Sequence, residues 1–154
     1  CGYTVVPKAV MAKTSKGGSI ALNPLWNRRQ STKFNGTSYI AQRAAEAIYT
    51  TEGKQQIQAP IAYYMENARL MHGALSTLGL MVYGGVDAPY LWVRCPEDFS
   101  SWELFDLMLE KAHVVCTPGV GFGPLGEGYV RLTAFGNREQ TVEALERIKR
   151  QLMI

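Results

Sequence analysis

Between residues 51 and 78, Ile57, Ile61, Tyr64, Ala68, Met71, Leu75 and Leu78 recur at three- and four-residue spacing. That stripe predicts one long helix, capped by Thr50 or Thr51 and stopped by Gly79. Pro60 lies inside it and predicts a kink or a break in two, because proline removes a backbone donor and clashes with the preceding turn. Two shorter helices are predicted before it. The first spans residues 23 to 32, with Asn23 as N-cap and Pro24 in the first turn. The second starts at Thr37 or Ser38 and runs to about Tyr49, with Ile40, Ala44, Ala47 and Ile48 on one face. Lys33-Phe-Asn-Gly36 interrupts the pattern between them, so Asn35 sits at a helix junction.

Period-two or continuous apolar runs predict strands at residues 3 to 6, 80 to 83, 90 to 95, 114 to 116 and 129 to 135. Pro7 ends the first, and the polar stretch that follows, with Lys13, Ser15, Lys16, Gly17 and Gly18, reads as a loop. Ser100 and Glu103 have capping-box spacing for a helix at 101 to 112. Asn137 and Gln140 begin a last helix that buries Val142, Leu145, Ile148 and Leu152. The fold class is therefore α/β, with a mostly antiparallel sheet covered on one face by helices and no internal repeat. The long helix reads as a connector between two packed units.

Composition adds mainly exclusions. The chain has 154 residues, 47% of them hydrophobic, enough for one sizeable core. Its 16 basic and 13 acidic residues are dispersed and leave a net charge of +3, with no basic stripe for nucleic acid. No apolar run approaches the roughly 20 residues of a bilayer span. Cys1, Cys95 and Cys116 are an odd number that suits a reducing compartment, so a cytoplasmic setting is expected. Their spacing fits no zinc pattern, and His72 and His113 do not complete a metal site. His113 with Cys116 could pair a thiol with a base, but they sit in or beside an apolar strand, where cysteine is usually inert.

The candidate chemistry lies in Thr117-Pro-Gly-Val-Gly-Phe-Gly-Pro-Leu-Gly-Glu-Gly-Tyr-Val-Arg131, a glycine-rich turn that feeds a strand bearing one arginine. A guanidinium on a mostly buried strand is costly unless a planar anion meets it, and its fork matches a carboxylate. Arg131 is therefore the candidate carboxylate-binding residue. Pairing with a protein acid such as Glu127, or exposure to water, would explain it equally. Gly121-Phe-Gly123-Pro-Leu-Gly126 matches the dinucleotide pattern in letters only, because a strand follows it where that site needs a helix N-terminus. Trp26, Trp92 and Trp102 read as core or interface anchors. Lys16 reads as a solvated loop charge.

Taken jointly, Gly2-Tyr-Thr-Val-Val-Pro7, Asn23-Pro-Leu-Trp-Asn-Arg-Arg-Gln30, Lys33-Phe-Asn-Gly-Thr-Ser38, Tyr83-Gly-Gly, Ala88-Pro-Tyr-Leu-Trp-Val93, Ser101-Trp and Thr117-Pro-Gly-Val-Gly-Phe-Gly123 form a pattern. It resembles the C-terminal part of the class I/II, fold-type I pyridoxal-phosphate aminotransferases, nearest the members that act on LL-2,6-diaminopimelate. The resemblance covers essentially the whole chain. It implies residues 1–52 as the remnant of a large cofactor-binding domain, 53–79 as a connecting helix and 80–154 as a small α/β domain. It implies pyridoxal 5'-phosphate as cofactor, amino-acid and 2-oxoacid substrates, amino transfer from glutamate to tetrahydrodipicolinate in lysine biosynthesis, and a homodimer. Arg131 falls on the family's substrate-carboxylate arginine. Asn35 falls on its cofactor-contacting asparagine, which also reaches substrate, whereas its junction position alone suggests a helix cap.

The lysine that carries the cofactor in this family matches no position here. It belongs just upstream of Gly2-Tyr-Thr-Val-Val-Pro7, with the nearby phosphate-binding arginine, and Lys16 and Lys33 are in the wrong register. The chain then reads as a piece of a longer protein that is inactive alone. A related aminotransferase of different substrate, or a non-catalytic module that binds small acids through Arg131, are the other expectations.

Overall fold

The computed structural model describes residues 1 to 152. They form two compact units, one spanning Cys1–Ile57 and a second starting at Gln58. The first unit holds a hairpin of β1 (Met11–Lys13) and β2 (Ser19–Ala21), followed by α1 (Leu22–Lys33), α2 (Tyr39–Ala47) and the start of α3 (Thr51–Thr77). Every one of its residues is exposed or half-buried, so it has no apolar core of its own.

Several local expectations for this unit change. Residues 3 to 6 form no strand, because among the described residues no partner supplies a ladder, and the Val6 carbonyl instead accepts from Asn23 Nδ2 at 2.6 Å. Asn23 is accordingly inside α1 and does not cap it; the N-cap position is Ala21, without a side-chain bond. The polar stretch forms a hairpin where a loop is expected. Gly17, at φ +82°, turns the chain, while Thr14 exchanges bonds with Gly17 and Gly18, and strands of three residues gave too little alternation to read. Ser38 caps α2 as expected, its Oγ accepting from Ala41 N at 3.4 Å.

Thr50 caps α3 by accepting from Gly53 N at 3.0 Å, and Gly79, at φ +82°, ends it. The helix passes Pro60 in one run, so the expected break is absent. One missing bond is local, and the turns on either side keep theirs.

The second unit carries a four-stranded antiparallel sheet in the order β3-β4-β6-β5. Its strands are β3 (Val82–Gly84), β4 (Tyr90–Arg94), β5 (Thr117–Pro118) and β6 (Tyr129–Thr133). The helices are the end of α3, α4 (Ser101–Ala112) and α5 (Arg138–Gln151). Leu91 and Val93 on β4 and Val130 and Leu132 on β6 point into a core shared with Leu75, Leu104, Met108 and Ile148. Each such side chain stabilises the fold by about 2 kcal/mol, and a one-residue slip of β6 would turn Arg131 into that core. Alternation thus fixes Arg131 on the opposite face, with Tyr90, Trp92 and Tyr129.

The capping box of α4 forms as expected, with Ser100 N donating to Glu103 Oε2 at 2.8 Å and Glu103 N to Ser100 Oγ at 3.3 Å. The strand expected at 114 to 116 lies instead at Thr117–Pro118. Residues 113 and 114 are used by the exit of α4, where His113 takes φ +54° and Val114 N donates to Met108 O at 3.1 Å.

Buried Asn67 ties the α3 face to the segment after β6. Its Nδ2 donates to Ala134 O at 3.2 Å and Gly136 O at 2.9 Å, and its Oδ1 accepts from Arg138 Nε at 3.0 Å. Arg138 also stacks on Tyr63, with Cζ 4.5 Å from the ring centre, and donates to Tyr63 O at 3.0 Å.

Candidate carboxylate-binding site

Arg131 is opposite Trp92 in the β4–β6 register and is half-buried. Its Nε is fully buried with no hydrogen-bond partner, and no ion pair among the described residues includes it. Two ring faces meet the guanidinium, Phe122 at 4.4 Å and Tyr90 at 4.7 Å from Cζ to the ring centre. These contacts attract the cation but fill none of its in-plane donor positions. An orphaned, buried donor on an always-charged group is costly, and a planar anion with two acceptor oxygens satisfies it.

Glu127 does not pair with Arg131. Its carboxylate accepts from Ser101 N at 2.7 Å, Ser101 Oγ at 3.0 Å and Gly128 N at 3.1 Å. The Ser101 N–H first, then the Gly128 N–H and the Ser101 hydroxyl, hold this carboxyl below its ordinary range. Glu127 therefore pins the end of the glycine-rich loop to the start of α4.

The loop comprises two short 3-10 turns, Gly119–Phe122 and Pro124–Gly126. At its base Gly119 and Gly126 approach backbone to backbone. A Cβ on Gly119 would collide with the Gly126 carbonyl oxygen and lie 2.6 Å from the Tyr129 carbonyl oxygen, and one on Gly126 would collide with Gly119. The glycines serve close packing, and the strand that follows leaves no helix N-terminus for a pyrophosphate.

The outer sheet face is aromatic. Trp92 meets Phe122 edge-to-face at 5.2 Å, Tyr90 meets Phe135 at 5.4 Å, and Tyr129 lies 6.5 Å from Trp92. Trp92 is half-buried, while Trp26 and Trp102 are exposed, so no tryptophan lies in the core. An apolar cleft beside β6 is lined by Met71, Leu132, Gln140, Ala144 and Ile148, and its lining does not include Arg131.

Asn35 is in the first unit, Arg131 in the second. Asn35 is exposed in the left-handed region, at φ +64°, with its backbone N–H bonded to Gln30 O at 3.0 Å. Its side chain caps neither neighbour, since Ser38 caps α2, which leaves the carboxamide free for another group. Lys16 is exposed in the β1–β2 turn and Lys33 exposed at the end of α1.

Burial raises the thiols of Cys95 and Cys116 to about 11, so the thiol–base pairing of Cys116 with His113 has no chemical footing. Among the described residues no cluster of His, Cys, Asp or Glu could hold a metal ion, and no helix is long and apolar enough to cross a membrane. Phe122 and Tyr90 are the site residues that the pattern of the sequence did not single out. The phenylalanine between Gly121 and Gly123 was the available signal, read there only as part of a glycine motif.

Residues 21–148 match the family described as aminotransferase class I and II. The LL-diaminopimelate aminotransferase of Bacteroides fragilis is 67% identical over 152 residues, covering 99% of this chain and 37% of that protein. That of Methanosphaera stadtmanae is 59% identical over 150 residues, covering 97% and 36%. The structure of L,L-diaminopimelate aminotransferase from Chlamydomonas reinhardtii aligns with a TM-score of 0.82 at 44% identity, over 95% of this chain and 35% of that one. The chain thus spans little more than a third of the length of the relatives it matches. With a family match across most of its residues and relatives of this identity, the chain belongs to the class I and II aminotransferases.

Proposed function

We propose that this chain is the C-terminal part of a pyridoxal-phosphate-dependent aminotransferase that exchanges an amino group between LL-2,6-diaminopimelate and 2-oxoglutarate. In the biosynthetic direction glutamate donates to tetrahydrodipicolinate, on the way to lysine. The observation that carries the reading is the unpartnered, buried Nε of Arg131 on a sheet face without a competing acid. Relatives named for this activity, at 59 to 67% identity, support it.

In this reading Arg131 binds a substrate carboxylate through its fork, which fixes the amino-bearing carbon relative to the cofactor. The buried Nε and a guanidinium already held between two rings lose little freedom on binding, and the aromatic walls exclude water from the ion pair. Asn35, with its free carboxamide, faces the cofactor or the substrate. Bound pyridoxal phosphate supplies the electron sink that lets a proton leave the amino-bearing carbon. The residues described here fit the carboxylate end of that reaction. The proton is moved by a lysine that these 154 residues do not include at the family's position, so the chain by itself is expected to be inactive.

We assign residues 1–52 to a large cofactor-binding domain, 53–79 to a connecting helix and 80–154 to a small domain. The absence of a core in the first unit supports that assignment, because its exposed Tyr3, Ile40 and Tyr49 call for covering surface. The same exposure supports a homodimer, and the free cysteines support a cytoplasmic enzyme. The test is a substrate panel on the full-length enzyme. Diaminopimelate with 2-oxoglutarate should give the highest kcat/KM, and preference for another amino acid would overturn the assignment.

The aromatic face around Arg131 favours one second reading, an aromatic amino-acid substrate. The aromatic aminotransferase from Pyrococcus horikoshii is 28% identical with a TM-score of 0.65, covering 72% of this chain and 31% of that one. Phenylalanine and tyrosine in the same panel separate the two readings.

A further inference from the structure

We propose that Phe122 is a positioning residue for Arg131, setting the plane in which the guanidinium meets a substrate carboxylate. This rests on the carboxylate-binding reading of Arg131 given above.

A long arginine side chain samples many rotamers unless something restrains it. Hydrogen bonds usually do so, but Arg131 Nε has none and the group joins no ion pair among the described residues. The restraint that remains is the two ring faces. Tyr90 is built into β4 and cannot move independently of the sheet. Phe122 is on the loop, and its ring touches two members of the site, the guanidinium at 4.4 Å and Trp92 at 5.2 Å with an interplanar angle of 69°. Trp92 is the direct cross-strand neighbour of Arg131, so the three side chains close a triangle.

The loop that carries Phe122 is built to hold it still. Gly119 and Gly126 lock the base, Gly123 N donates to Val120 O at 3.0 Å, Gly126 N donates to Gly123 O at 2.9 Å, and Glu127 anchors the far end on Ser101. Yet Phe122 is 51% exposed and contributes little to the core. A rigid mount for a half-exposed ring, aimed at an unpartnered cation, fits orientation of that cation better than it fits folding. The letters of the glycine motif acquire a use: close backbone packing presents one ring to one guanidinium.

The test uses the full-length enzyme with Phe122→Leu, which keeps bulk and removes the ring face, and Phe122→Tyr, which keeps the face. Arg131→Lys serves as reference. KM and kcat are measured with glutamate and diaminopimelate, together with the inhibition constant of glutarate, which needs carboxylate recognition alone. Phe122→Leu should raise KM and the glutarate constant together by about 3- to 30-fold, with kcat and melting temperature near wild type. Phe122→Tyr should restore both. If Arg131→Lys raises KM while Phe122→Leu leaves it unchanged, the positioning role is wrong and the carboxylate reading stands. If Arg131→Lys leaves KM unchanged, the carboxylate reading itself fails. A Phe122→Leu variant that loses kcat and melting temperature together with KM has a structural ring, which also overturns the inference.

Discussion

Replacing Asn67 by leucine tests how the α3 face is tied to the segment that follows the Arg131 strand. Asn67 is fully buried and makes three hydrogen bonds, two to main-chain carbonyls and one from Arg138. Leucine of similar size loses the two neutral bonds, about 1 kcal/mol each, and the charged one, about 2 kcal/mol, and regains about 1 kcal/mol of apolar burial. The net loss is about 3 kcal/mol. The Ala134 carbonyl, on a buried residue, and the half-buried Arg138 Nε lose their partner, whereas Gly136 is exposed and can be rehydrated. Urea unfolding followed by tryptophan fluorescence should show a lower midpoint with an unchanged slope, and the melting temperature of the 154-residue chain should fall by roughly 6–12 °C. Asn67→Asp should not rescue it, because a carboxylate oxygen would then face two carbonyl oxygens. A leucine variant within about 0.5 kcal/mol of wild type would refute the role given to this network.

Gly119→Ala places a methyl group against two backbone oxygens, so it should cost roughly 2–4 kcal/mol and raise KM for carboxylate substrates; thermal unfolding and steady-state kinetics check both. Of the three cysteines, Cys95 and Cys116 are buried with thiols raised to about 11, so at pH 8 a disulfide reagent should titrate only the exposed Cys1 in the folded chain and all three in denaturant. Rapid modification of more than one thiol would contradict the packing described. Glu127 is held below the ordinary 4.5, so the stability it confers is present above that value and is lost as pH falls through the lower folded value. Glu127→Gln should therefore be less stable than wild type at pH 7 and converge with it in acid, and parallel stability curves would show that the Ser101 contact has no energetic role.

Much of the second unit follows from alternation and capping. Ser100 with Glu103, and Asn137 at the start of α5, are local signals whose bonds form within three residues. The outward position of Arg131 follows from the apolar Val130 and Leu132 beside it. The local pattern misleads where a distant partner decides the outcome. Residues 3 to 6 have strand propensity but no pairing strand, and Asn23, a good cap by type, is drawn to Val6 seventeen residues away. Val114 and Cys116 are β-formers displaced by the exit turn of α4. Asn67 left no trace in the sequence, since one asparagine on a helix stripe has no spacing to read and its partners lie 67 to 71 residues away. Phe122 was visible only as a letter in a glycine motif, because a ring over a guanidinium depends on how a loop folds back across the sheet.

The proposed contact of the Arg131 fork with a substrate carboxylate is read from a comparison of glutamate with its α-carboxamide in the full-length enzyme and in its Arg131→Gln variant. The wild-type enzyme should prefer the acid by about 100-fold in kcat/KM, the equivalent of about 3 kcal/mol for a desolvated charged contact, and the variant should lose most of that preference. A variant that discriminates acid from amide as well as the wild type does would place the carboxylate elsewhere and contradict the account.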